Sequence, residues 1–225
     1  MFKEISKLFN SDDLLSHALD TCYEMLDIDL EMFKESKKSL RELDTADIPI
    51  DIYAMDQKIN HFEREVRRDV MTHLTVSGTQ DISSGLVMVS VVIDIERIGD
   101  YTKNIYDLAV NHPNRLDAKS FESILQEIEA STLGLLTDTI VAFKNQDDEL
   151  AGQIMKNYKT EISSKCDQIT NKIISSPSNE LDTASATSVA LYSRYLKRIS
   201  AHCRNLTSSI VNPFDRIGYP QKKNN

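Results

Sequence analysis

Ile95-Glu-Arg-Ile-Gly-Asp-Tyr-Thr-Lys-Asn-Ile105 has an echo late in the chain, Leu196-Lys-Arg-Ile-Ser-Ala-His-Cys-Arg-Asn-Leu206. Arg97/Arg198, Ile98/Ile199 and Asn104/Asn205 are identical, and the flanking aliphatics agree. Both stretches place apolar residues at three- and four-residue steps, the period of a helix with one buried face. A helical unit that occurs twice points to an internal duplication. The same period runs outward in both directions. A first helix opens after Asp12 and Asp13 with Leu15, Leu19, Cys22, Leu26, Leu30 and Phe33 on one stripe, and ends by Asp47-Ile-Pro49. A second spans Ile52 to about Leu74, with Ile52, Met55, Ile59, Phe62, Val66, Val70 and His73 inward. Ser77-Gly78 breaks the chain, and a third helix runs from Asp81 or Ser83 to His112-Pro113. Three more follow, from about Asp117 to Asn145, from Asp147 or Asp148 to Ser175, and from about Asn179 to Val211.

Short connections make consecutive helices antiparallel neighbours. The expected fold is therefore all-α: two tandem, duplication-related three-helix bundles. Residues 1–11 form an N-terminal amphipathic segment, 12–113 the first bundle, 114–212 the second, and 213–225 a polar C-terminal tail.

Composition narrows the function. The 225 residues carry 26 basic and 35 acidic side chains, a formal net charge of −9, which argues against nucleic-acid binding through basic stripes. Six glycines and five prolines are too few for a turn-rich β-sandwich. The longest apolar tract, Leu86 to Ile93, is interrupted by Ser90 and falls far short of the roughly 20 residues of a membrane span. No signal-peptide core follows Met1, so a cytoplasmic location is expected. Cys22, Cys166 and Cys203 are an odd, widely spaced set that reads as reduced thiols.

The chemistry-bearing pattern is acidic. Glu96 and Asp100 are four residues apart and share one face of the third helix. Gly99 lies between them, at a cost of about 1 kcal/mol relative to alanine, which signals a close approach at that turn. Asp56 and Asn60 have the same spacing on the second helix, with Glu63 beyond. Antiparallel packing brings Asp56, Asn60, Glu96 and Asp100 together as an all-oxygen set suited to hard cations such as Mg²⁺, Ca²⁺, Mn²⁺ or Fe³⁺. Against this, an acidic chain generates roughly five such acid pairs by chance, most of them on solvated faces.

The stretch 95–105 resembles the signature helix of the PhoU family, and Asp56-Gln-Lys-Ile-Asn60 resembles the companion acidic motif on the preceding helix. The resemblance spans about residues 12–211 and is strongest at 94–105. It implies two repeated three-helix bundles and a cytoplasmic regulator of phosphate uptake and phosphate-responsive signalling. It further implies a non-enzymatic adaptor working through a phosphate ABC transporter and a phosphate-sensing histidine kinase, with iron or another cation on the carboxylates. The chain departs from the family pattern at Asn60, and again in the second bundle, where Lys197 and Ala201 replace Glu96 and Asp100. Asn157 and Glu161 are the candidate companion remnants there. Lys197 repels a cation, so the second site is expected to be lost or replaced by an ion pair. The alternative is a diverged interaction bundle without metal or phosphate signalling. A homodimer is expected from the broad bundle faces and from the resemblance.

Other chemistries find less support. No histidine follows a glutamate by three residues, as a ferritin-like di-iron site requires. His202 and Cys203 are adjacent on a helix and point apart, so they read as packing residues and not as a nucleophile pair. No glycine-rich phosphate loop is present. His73 reads as a packing residue, and Arg64, Arg67 and Arg68 as a small basic run that could meet phosphate but reads first as a solvated face. Phe2, Ile5, Leu8 and Phe9 give the N-terminal segment an apolar side that could dock on its own bundle, a dimer mate or a membrane surface.

Overall fold

The computed structural model describes residues 14–77, 80–175 and 180–221. The N-terminal segment, the Asp12/Asp13 cap, Gly78, Ser176-Pro177 and the end of the tail lie outside the described residues. Those described form helices α1 (Leu14–Glu42), α2 (Ile52–Ser77), α3 (Ile82–Asn111), α4 (Glu122–Asn145), α5 and α6 (Thr183–Val211), with no strand among them. Helix α5 is composite: Asp148–Tyr158, a π-helical turn at Lys159–Ser163, then Ser164–Ser175. The π turn has no counterpart in the apolar period, which sees only that the stripe continues. Helix α4 starts later than the sequence indicates, because Lys119–Phe121 first makes a 3₁₀ turn, with Lys119 at φ 50°.

Helices α1, α2 and α3 pack on one another, as do α4, α5 and α6, and the two bundles join where α3 lies against α6 and α1 meets α4. Buried residues from both form one continuous core. The repeated motif lies at the join. Ile95, Ile98 and Ile105 of α3 and Leu196, Ile199 and Leu206 of α6 are fully buried. Fully burying each side chain of this size contributes about 1.5–3 kcal/mol.

Polar side chains set the register of the join. His202 Nδ1–H donates to Asp94 Oδ1 at 2.7 Å and Asn205 Nδ2 donates to the same oxygen at 3.2 Å. Arg198 Nη2 lies 3.3 Å from His202 Nε2 on the other side of the ring. Arg198 also lies over the Tyr101 ring, which stacks on His202. The His202–Cys203 pair is thus structural, and burial pushes the Cys203 thiol far above its usual range. Burial likewise pushes the Cys22 and Cys166 thiols up to about 12, so all three cysteines are unreactive packing groups. His73 is buried, with Nε2 2.9 Å from Asp81 across the α2–α3 turn.

A second tie runs between α1 and α4. The buried Arg41 guanidinium bonds Glu129 at 2.7 Å and also reaches Glu122 and the Leu116 carbonyl. The segment read as a polar tail is folded back over residues 213–221. Asn212 Nδ2 donates to the carbonyls of Arg216 and Tyr219, and Arg204 Nη2 donates to that of Gly218. Gly218 takes φ +84°, a conformation that favours glycine.

Arg41→Ala leaves Glu129, with 6% of its side chain exposed, as a buried charge without a partner. Urea unfolding should show a loss of about 3–5 kcal/mol. The double variant Arg41→Met/Glu129→Leu should recover most of it, because no unpaired buried charge remains.

Candidate cation site on the first bundle

Helices α2 and α3 run antiparallel, and their acidic positions meet along one seam. Asp56 is buried, taking a place on the inner side of α2 while Met55 and Phe62 are only half-buried. Asn60, one turn on, donates from Nδ2 to the Asp56 backbone carbonyl at 2.9 Å and to Asp56 Oδ2 at 3.2 Å. It therefore orients the carboxylate. From α3, Asp100 comes level with Asp56, and the two are bridged by Lys103. The Lys103 ammonium donates to Asp56 Oδ1 at 2.9 Å and to Asp100 Oδ1 at 3.1 Å. Arg97 flanks the seam, 3.3 Å from Asp100 and 3.6 Å from Glu96. Glu63 is held by Arg67 at 2.7 Å on the same helix.

The seam thus holds the acids that the spacing selects, together with a cation that it does not. Lys103 lies three residues after Asp100, on the same side of α3, so its proximity was open to the same helical projection. Burial works against the Lys103 ammonium, but its bonds to Asp56 and Asp100 outweigh this and hold its pKa above the ordinary lysine value. Burial, followed by the charge of Asp100, raises the Glu96 pKa, with Arg97 opposing. Among the described residues, no three carboxylate, imidazole or thiol groups converge as a ready metal cage.

Asp29 on α1 is a further acid of this region that the paired-acid spacing does not include. It is fully buried, and neither carboxylate oxygen has a hydrogen-bond partner. Its signal was present, since it interrupts the stripe Cys22, Met25, Leu26, Met32, Phe33 at a core position. Burial first, then the charges of Glu96 and Asp56, push its pKa well above the ordinary carboxylate range. The close approach signalled by Gly99 is to this side chain. A Cβ there would lie 2.8 Å from Asp29 Oδ1 and 2.9 Å from Ile59 Cδ1. At the corresponding turn of α6 stands Ser200, whose hydroxyl lies 3.3 Å from that of Thr132 on α4. The second bundle therefore keeps a neutral, bonded pair where the first has glycine beside a buried acid.

Lys197 meets Asp167 at 2.6 Å, the ion pair expected in place of a second site. Asp167 faces Lys197, whereas Asn157 and Glu161 lie further toward the start of α5, beside Gly134 and Asp138 of α4 around a cavity of about 190 Å³. The antiparallel register of α5 and α6, which the sequence spacing leaves open, decides this. Ala201 is half-buried and supplies no ligand.

Such a chain is a duplicated three-helix-bundle protein with an acidic α2–α3 seam in one repeat only. The PhoU domain matches twice, over residues 23–109 and 125–210, and the chain belongs to the PhoU family. It is 23% identical over 185 residues to the phosphate-specific transport system accessory protein PhoU homolog of Synechocystis sp., covering 80% of each chain. Its fold is that of PhoU from Pseudomonas aeruginosa, with a TM-score of 0.73, 18% identity and coverage of 88% of this chain and 95% of that one. The phosphate transport system regulatory protein PhoU from Streptococcus pneumoniae is similar at TM-score 0.71 and 18% identity, with coverage of 88% and 93%.

Asp29 sets a pH dependence. Its folded carboxyl keeps a proton that the unfolded chain gives up above about pH 4. Unfolding therefore releases a proton, and stability falls as pH rises from that value toward the raised folded pKa. Asp29→Asn keeps the shape and cannot ionise. Denaturant midpoints should match wild type near pH 4 and exceed it at pH 8, with a flatter profile between.

Proposed function

We propose that this chain is a cytoplasmic, non-enzymatic regulator of phosphate uptake and phosphate-responsive signalling. The observation that carries this reading is the double PhoU domain match across both bundles. Its partners are a phosphate ABC transporter and the associated phosphate-sensing histidine kinase, approached as a homodimer. Among the described residues no helix is long and apolar enough to cross a membrane, so a transporter would be met from outside the bilayer core.

The acidic seam of the first bundle is the cation site in this reading. Asp56, Asn60, Glu96 and Asp100 offer oxygen donors only, which suits Fe, Mg, Ca or Mn. Lys103 occupies the space between Asp56 and Asp100, so an incoming ion takes the place of its ammonium. The Lys103 side chain is about a quarter exposed and has a flexible stem on which to withdraw. A bound ion would supply positive charge that ties α2 to α3 in place of the Lys103 hydrogen bonds. The Lys103 bridge also favours a second reading, an interaction bundle in which the protein's own ammonium replaces the metal.

Calorimetry and metal analysis across Fe, Mn, Mg and Ca separate the two. Displacement of Lys103 predicts that Lys103→Met tightens cation binding at least tenfold and that Glu96→Gln/Asp100→Asn abolishes it. Absence of binding in both wild type and Lys103→Met leaves the metal-free reading standing. Light scattering should return twice the 25.5 kDa chain mass. A monomer at micromolar concentration would refute the dimer.

A further inference from the structure

We propose that the second bundle carries a separate binding cavity for a small organic phosphate of nucleotide size. The cavity, about 700 Å³, lies between α5, α6 and the folded-back segment after Val211. This volume is within the usual range for small-molecule sites, about 300–1,000 Å³.

Its charge is the first argument. Among the described residues Lys156, Lys159 and Arg204 line it and no acidic one does, in a chain of formal net charge −9. Most other described lysines meet carboxylates, among them Lys58 with Glu24, Lys144 with Asp27, Lys165 with Glu127 and Lys197 with Asp167, while Lys34 and Lys172 lie outside the lining of this cavity. The exposed side chains of Lys156 and Lys159 make no hydrogen bond or ion pair among the described residues. Two unpaired ammonium groups beside a guanidinium repel one another, and an anion between them relieves that repulsion.

Order is the second argument. The Arg204 guanidinium lies 5.6 Å over the Tyr158 ring, and its Nη2 is anchored on the Gly218 carbonyl, so the cationic plane is set in advance. Gly218 N–H in turn donates to Ser208 Oγ at 2.6 Å. The wall opposite α5 is therefore bonded structure. A π turn at Lys159–Ser163 borders the cavity, and such turns recur at functional sites.

The lining also has an apolar part. Met155, Tyr158 and Pro220 stand beside the cations, with Ser163 also in the lining. Inorganic phosphate would use the charges and leave this surface wet. A phosphate attached to a planar, weakly polar group uses both. The space beside Gly152 is open, since among the described residues a Cβ there would meet only Gln221 Oε1 at 3.8 Å.

The test is calorimetry on the full chain in the presence of a chelator, which removes any contribution from the first-bundle seam. The probes are adenine and guanine nucleoside mono-, di- and triphosphates, inorganic phosphate, and vesicles of phosphatidylglycerol. At least one nucleotide should bind saturably with one site per chain, and at least tenfold more tightly than inorganic phosphate. Lys156→Gln/Lys159→Gln, on the exposed side of the site, should weaken it at least tenfold with helicity unchanged. Gly152→Phe should fill the cavity and abolish binding. Glu96→Gln/Asp100→Asn should leave it intact. The proposal is overturned if no nucleotide binds, if only phosphate or vesicles bind, or if binding survives in Gly152→Phe of unchanged helicity.

Discussion

Helix α3 must bury two faces at once. One packs on α1 and α2, the other on α6, and Val91, Val92, Ile95, Ile98 and Ile105 have no exposed surface. A helix in that position has little room for charge, yet α3 also carries Asp94, Glu96, Asp100 and Lys103. Each has a defined partner because desolvating an unpaired charge costs several kcal/mol. Asp94 is satisfied from across the join by His202 and Asn205, and Asp100 by Lys103 and Arg97 within α3. The bundles' mutual position and the seam's geometry thus both follow from how α3 is buried.

The duplication has diverged by redistributing charge and leaving the packing alone. Apolar positions of the repeated motif are buried alike in α3 and α6. Arg97/Arg198 and Asn104/Asn205 are kept, but three other positions differ in sign or size: Glu96 against Lys197, Asp100 against Ala201, Gly99 against Ser200. Apolar burial needs only volume and pattern to be conserved, whereas the polar positions set what each bundle can bind. The first repeat concentrates oxygen donors around a lysine, with an orphan aspartate behind them. The second closes its seam with the Lys197–Asp167 pair and opens a cationic cavity on another side.

The helices, their apolar stripes, the duplication and the α2–α3 acids could be read in the sequence, because all depend on periods of three and four residues. Asp29 was legible in principle as an acid in an apolar stripe, and Lys103 as a residue one turn from Asp100. Neither belongs to a pattern of paired acids at four-residue spacing, Asp29 because it has no acid four residues away and Lys103 because it is basic. The π turn in α5 was not legible, since one widened turn leaves the apolar period nearly unchanged. Nor was the fold-back of residues 213–221, whose contacts with Arg204 and Asn212 are polar and nonperiodic.

By itself the sequence determined an all-helical chain of two related bundles and the asymmetry between them, because side-chain direction along a helix is set by local geometry. Only the tertiary structure decided which charges meet. Register places Asp167, and not Asn157 or Glu161, against Lys197, and the approach of α1 leaves Asp29 without a partner beside Gly99. Those outcomes depend on how far one helix slides along another. Coulombic and hydrogen-bond energies change steeply over a few ångströms, whereas an apolar stripe tolerates the same displacement.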